Sequence, residues 1–173
     1  SSRAVAGCVA IAVSQIANYH AYKPIRYNWS RMADFGVWNG TDWNEAGPFP
    51  RSVVANFIAD VGGYLKTNYG VNSSGALTSR AATYFRQEME AKYVGRHSYV
   101  FWRVRERLDY GIPVYMHGHE RNGDGHAWVI DGYMYQKRED RRTTGKRSDP
   151  QARTLVHINW GWSSGAHDGY YVD

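Results

Sequence analysis

From position 8 to position 19 the chain reads CVAIAVSQIANY, without Gly or Pro, and its apolar residues run around every side of a 3.6-residue period. That pattern predicts a helix buried on all faces, with Gly7 and Cys8 at its N-terminus. After Pro24 the segment up to Pro50 is rich in Trp, Asn, Asp and Gly with little periodicity, and reads as a loop region pinned by aromatic residues. In SVVANFIADVGGYL the residues Val53, Val54, Phe57, Ile58 and Val61 fall at helical spacing, and Gly62 with Gly63 are expected to end that helix. Leu77 to Tyr93 carries Leu77, Ala81, Tyr84, Phe85 and Met89 at the same spacing, and Tyr99 to Tyr110 reads as a further peripheral helix stopped by Gly111.

Beyond Gly111 the pattern changes. IPVYMHG, HAWVIDGYMY, TLVHINW and GYYVD are short, β-branched and aromatic, and are separated by Gly-containing or charged connectors, which predicts four antiparallel strands. Helices first and a sheet second is the order of an α+β fold whose helical half and sheet half meet across a cleft. A chain of 173 residues fits one domain, 1–173, and no internal repeat divides it.

Composition narrows the function. Apolar residues make up 43% of the chain and aromatics 15%, enough for a packed core. The 1 Cys excludes an intrachain disulfide and a thiolate-rich zinc site, so the thiol is judged by its neighbours. No apolar run approaches the roughly 20 residues that span a bilayer, so no membrane partner is expected. The formal charge of +5 is concentrated between Lys137 and Arg153, where Glu139, Asp140 and Asp149 interrupt it and no aromatic is interleaved. That stretch reads as a solvated loop, and no nucleic-acid partner is expected.

Three segments carry candidate chemistry. Only a thiolate is a strong nucleophile, and a helix N-terminus favours negative charge; Cys8 occupies such a place behind the small residues Ala4, Ala6 and Gly7. In GDGHAWVIDGY, His126 follows a Gly-rich turn at the start of a strand, where a side chain projects from a rigid base. In HINWGWSSGAHDGYY, Asn159 is the candidate acceptor that would hold a base histidine's other ring nitrogen, with Trp160 and Trp162 shielding that bond. Taken singly, a buried Cys acting as a small hydrophobe and a histidine packed in a core are the plain alternatives. His117 and His119 alternate onto one strand face near Asp124, which leaves a divalent metal site as a further alternative.

Together AGCVAIAVSQIANYH, GHAWVIDGY and HINWGW followed by DGYY, in that order, resemble the streptopain family of bacterial papain-like cysteine peptidases. YGVNSSGA resembles that family's substrate-cleft segment, so the likeness covers nearly the whole chain. The resemblance implies a papain-like fold with a central Cys-bearing helix packed against an antiparallel sheet. It implies Cys8 as nucleophile, His126 as base, Asn159 as orienting residue and Trp160 as its supporting neighbour. It also implies that Ser74, Gly75 and Gly125 line the cleft, that no cofactor or metal is needed, and that protein or peptide substrates are cut through a thioester.

An inhibitory propeptide, hence a zymogen, and a secreted or cell-surface place in a bacterium are implied by the same resemblance. The family places an oxyanion-site Gln upstream of its Cys, whereas 7 residues precede Cys8 here, and Gln15 inside the helix is a poor substitute for it. N- and C-terminal pieces of the family domain are therefore expected to be missing. A Cys-dependent acyltransferase, or a degenerate peptidase-like module that only binds proteins, would use the same residues differently.

Overall fold

A computed structural model describes residues 4–21, 29, 50–92, 94–119, 121, 123–136, 153–162 and 167–173. The loop region expected over 24–50, apart from Trp29 and Pro50, and the basic connector over 137–152 lie outside the described residues.

The first helix, α1 (Cys8–Tyr19), buries Val9, Ala10, Ala12, Val13, Ser14, Ile16 and Ala17, as its all-round apolar pattern predicts. Next come α2 (Pro50–Tyr64), α3 (Thr78–Gln87) and α4 (Phe101–Asp109), and then strands β1 (Val114–His119), β2 (Gly125–Gln136), β3 (Arg153–Asn159) and β4 (Gly169–Val172). The strands form one sheet in the order β1-β2-β3-β4, every neighbour antiparallel. The described chain is thus an α+β fold with its helices ahead of its sheet.

Two helix ends differ from expectation. Gly62 and Gly63 do not stop α2, which continues to Tyr64. Its stop is a Schellman closure: Thr67 N–H donates to the Gly62 carbonyl at 2.9 Å and Lys66 N–H to that of Gly63 at 3.1 Å, with Lys66 at φ 50°. Leu65, fully buried, draws the helix end down into the core and so moves the stop past the glycines. α3 is shorter than the expected span to residue 93: it ends at Gln87, and the chain turns away at Glu90, φ 52°, while Met89 still packs on the core. α4 stops at Gly111, as expected, through Ile112 N–H to the Arg107 carbonyl at 2.9 Å.

The sheet separates two apolar clusters. Ala127 and Val129 join Val9, Ala10, Ala12, Val13 and Ile16 of α1 with Phe57, Val61, Leu65, Ala81 and Tyr84. Ile130, Val156 and Ile158 pack with Val104, Phe101 and Leu108 of α4. Val129 and Ile130 are adjacent, so alternation sends them to opposite faces. The register between β2 and β3 shifts between Ile130 and Gly132, a bulge that leaves Asp131 out of the ladder. The arrangement lays α1 across the sheet at β2.

Candidate active site

Cys8 opens α1. Gly7, at φ 87°, is the N-cap, and its carbonyl accepts the Ile11 N–H at 3.1 Å. Only glycine suits that backbone, and the space is also closed: a Cβ on Gly7 would lie 2.8 Å from the Ser74 carbonyl oxygen. The helix start has no side-chain cap and no acidic residue in its first turn. The unpaired N–H groups of this first turn lie at the Cys8 end of α1. Cys8 is free and half-buried, and both it and Tyr115 of β1 pack against the cluster that holds α1. Burial pushes the Tyr115 hydroxyl above the usual tyrosine range; its hydrogen bond with Thr78 opposes the rise, and negative charge on Cys8 adds to it.

His126, the second residue of β2, stands opposite Gly118 of β1. Its ring lies in an aromatic clamp, with ring centroids 6.3 Å from Trp128, 5.7 Å from Trp160 and 5.8 Å from Trp162. Its Nε2 is 3.3 Å from the Trp160 carbonyl oxygen. A carbonyl oxygen can only accept, so Nε2 carries the proton and the lone pair of the neutral ring is on Nδ1.

The sequence reading gives the task of holding this ring to the Asn159 side chain, and the structure gives it to the Trp160 backbone instead. Asn159 Oδ1 is engaged elsewhere, accepting from Gln15 Nε2 at 2.8 Å and from Gly161 N–H at 2.9 Å. Trp160 is fixed from its other side: its N–H donates to Asp168 Oδ1 at 2.8 Å, and its Nε1 donates to the Tyr171 hydroxyl at 3.1 Å. The Tyr171 hydroxyl in turn donates to the His167 carbonyl. The HINWGW and DGYY segments therefore act as one brace behind the imidazole. Gly161, at φ 72°, presses so closely on α1 that a Cβ would lie 2.5 Å from Ile11 Cγ2.

Of the residues expected in the site, His126, Asn159 and Trp160 come together directly. Ser74 is brought against Gly7, beside Cys8, and its hydroxyl accepts the Gly70 N–H at 3.0 Å. Gly125 opens β2 opposite His119, one residue before His126. Gly75 pairs with Asn68 in an isolated bridge and faces open space. The ring centroids of His117 and His119 lie 6.1 Å apart, and among the described residues no group of three or more His, Cys, Asp or Glu side chains converges as a metal site would require.

Gln15, Tyr115 and Asp168 belong to the site and were not singled out for it by sequence. Asp168 stands in the quoted DGYY segment, and Gln15 interrupts an otherwise apolar helix; those were the available signals.

An α+β chain with a thiol at a helix start and a braced histidine has the architecture of the papain-like cysteine peptidase class. The model of the peptidase C10 family matches residues 1–171, and the chain belongs to that family. It is similar to the streptopain of Streptococcus pyogenes serotype M1, 27% identical over 205 aligned positions that cover 97% of this chain and 45% of the relative. The streptopain of Streptococcus pyogenes serotype M18 (strain MGAS8232) is 26% identical over the same shares. The chain thus spans about half the length of these curated relatives.

Proposed function

We propose that this chain is the catalytic part of a cysteine endopeptidase acting on proteins or peptides, with Cys8 as nucleophile and His126 as base. The observation that carries the reading is the 3.3 Å approach of His126 Nε2 to the Trp160 carbonyl oxygen: with Nε2 committed there as a donor, the basic nitrogen left for a thiol is Nδ1. Nδ1 of His126 takes the Cys8 proton, giving a thiolate at the helix N-terminus and an imidazolium in the Trp clamp. The thiolate attacks the peptide carbonyl carbon, and the backbone N–H of Cys8, which has no acceptor within the helix, faces the developing oxyanion. The imidazolium then gives its proton to the leaving amine and a thioester remains. Water attacks the thioester, His126 takes its proton, and the acid leaves as the thiol is restored.

Trp160 supports this base, and Asn159 acts one step behind it. Ser74, Gly75 and Gly125 flank the reacting groups as cleft walls. Likeness to the streptopains favours export from, or display on, a bacterial cell and synthesis with an inhibitory propeptide. Among the described residues no helix is long and apolar enough to cross a membrane.

Hydrolysis of denatured casein and iodoacetamide labelling test the reading. Cys8→Ala is expected to abolish labelling, and both Cys8→Ala and His126→Ala to lower hydrolysis by roughly 10³-fold or more. Undiminished hydrolysis by Cys8→Ala would end it.

A further inference from the structure

We infer that Gln15 is a positioning residue for His126, acting through Asn159 and the Trp160–Gly161 peptide; this rests on the cysteine-peptidase reading above. Gln15 is half-buried in a helix whose neighbouring residues Val13, Ser14, Ile16 and Ala17 are all buried. Its amide nitrogen donates to Asn159 Oδ1 at 2.8 Å across 144 residues of sequence. The same oxygen accepts the Gly161 N–H at 2.9 Å, and the carbonyl just before that amide, Trp160 O, takes His126 Nε2 at 3.3 Å. These bonds run in one direction. Gly161 N–H requires an acceptor, so Asn159 must present its oxygen; the Gln15 atom facing that oxygen must then be the nitrogen.

The cost of this orientation is visible. Gln15 Oε1 is buried with no hydrogen-bond partner among the described residues. Packing alone would be served better by an apolar side chain of the same length, because a dehydrated oxygen with no donor opposes folding. The amide is explained by what its nitrogen does. It fixes the Asn159 side chain, which fixes the Trp160–Gly161 peptide plane, which aims the carbonyl at Nε2 and keeps Nδ1 turned outward as the base.

Two substitutions separate positioning from packing. Gln15→Met keeps the length, removes the donor and also removes the orphaned oxygen. It is expected to leave Tm unchanged or raised, to leave KM nearly unchanged, and to lower kcat on the order of tenfold to a hundredfold, the size of a misplaced catalytic group. Alkylation of Cys8 by iodoacetamide at about pH 5, where an ordinary thiol is protonated, is expected to slow by a similar factor. Gln15→Glu places a carboxylate against Asn159 Oδ1; protonated, that carboxyl donates O–H to the same oxygen and restores the chain of bonds. The ionisable groups in this hydrogen-bonded set are His126 and Asp168.

The ratio of Gln15→Glu to wild-type kcat is therefore expected to rise as pH falls from about 7 to 5, since burial raises a carboxyl pKa. The inference is overturned by a Gln15→Met kcat within twofold of wild type, by a loss of activity that follows a lowered Tm, or by a Gln15→Glu ratio that ignores pH. Each of these leaves the peptidase reading intact if Cys8→Ala is inactive. A wild-type Cys8 that alkylates like a free thiol overturns both.

Discussion

At Gly161 the turn after β3 comes closest to α1, and its replacement by Ala tests whether the base is held by that contact. Two costs can be separated. At φ 72° an alanine enters the left-handed region, which disfavours an L side chain by about 1–2 kcal/mol. The new methyl would also stand 2.5 Å from Ile11 Cγ2 and 3.5 Å from Ile11 Cβ. Ile11 is β-branched and sits in a helix, so χ1 rotation gives little relief. Overpacking of this kind adds about 1–3 kcal/mol, for a total of about 2–5 kcal/mol.

The turn can yield only by moving off α1, which carries the Trp160 carbonyl away from Nε2 and lowers kcat along with stability. Urea unfolding of wild type, Gly161→Ala, Ile11→Ala and the double variant measures the split. In the Ile11→Ala background the clash is gone and only the backbone cost remains, so Gly161→Ala should cost about 1–2 kcal/mol there, a coupling of about 1–3 kcal/mol. A Gly161→Ala protein within about 0.5 kcal/mol of wild type, or one equally destabilised in both backgrounds, refutes the account, since distant sites simply add.

Asp168→Ala removes the acceptor from the Trp160 N–H and should cost about 1–3 kcal/mol in urea unfolding while lowering kcat more than it raises KM; an unchanged kcat would show that β3 alone positions the turn. The raised Tyr115 pKa has a definite sign: above about pH 10 the unfolded tyrosine ionises before the folded one, so stability present below that pH falls as pH rises toward the folded value. Tyr115→Phe should therefore flatten the alkaline loss of stability measured by urea midpoints; an unchanged slope would mean that Tyr115 is not held neutral by burial.

Much of this fold could be read from local pattern, because α1 is unbroken over its length and the strand segments differ sharply in composition from their connectors. CVAIAVSQIANY has no helix breaker, and the four strand segments are β-branched and aromatic between turn residues. The ends of α2 and α3 escaped that reading for a tertiary reason. Gly62 and Gly63 look like a stop, yet Leu65 has its burial site one turn further on, and Lys66 accepts the left-handed conformation that closes the helix.

Cys8 and His126 stand out as candidates because a glycine-flanked thiol at a helix start and a histidine after GDG carry local signatures. The group that holds His126 was not, since a backbone carbonyl leaves no mark in sequence. Asn159, the residue beside it with a suitable side chain, has its Oδ1 on Gln15 and Gly161, partners that its position in the sequence does not reveal.

Cys8, Ile11 and Gln15 stand at i, i+3 and i+7, which is one stripe of a helix turning every 3.6 residues. Cys8 heads that stripe, Ile11 abuts Gly161 one turn on, and Gln15 bonds Asn159 a turn beyond. A papain-like site divides its thiol and its imidazole between two halves of a fold, so relative motion of the halves would misalign them. Here the element that carries the thiol also grips the turn that aims the imidazole. Sliding α1 along the sheet would break the Gln15 and Gly161 contacts, and those half-buried contacts oppose the slide. That coupling explains why a polar amide persists in the middle of a buried helix, and why the requirement at Gly161 is met by glycine.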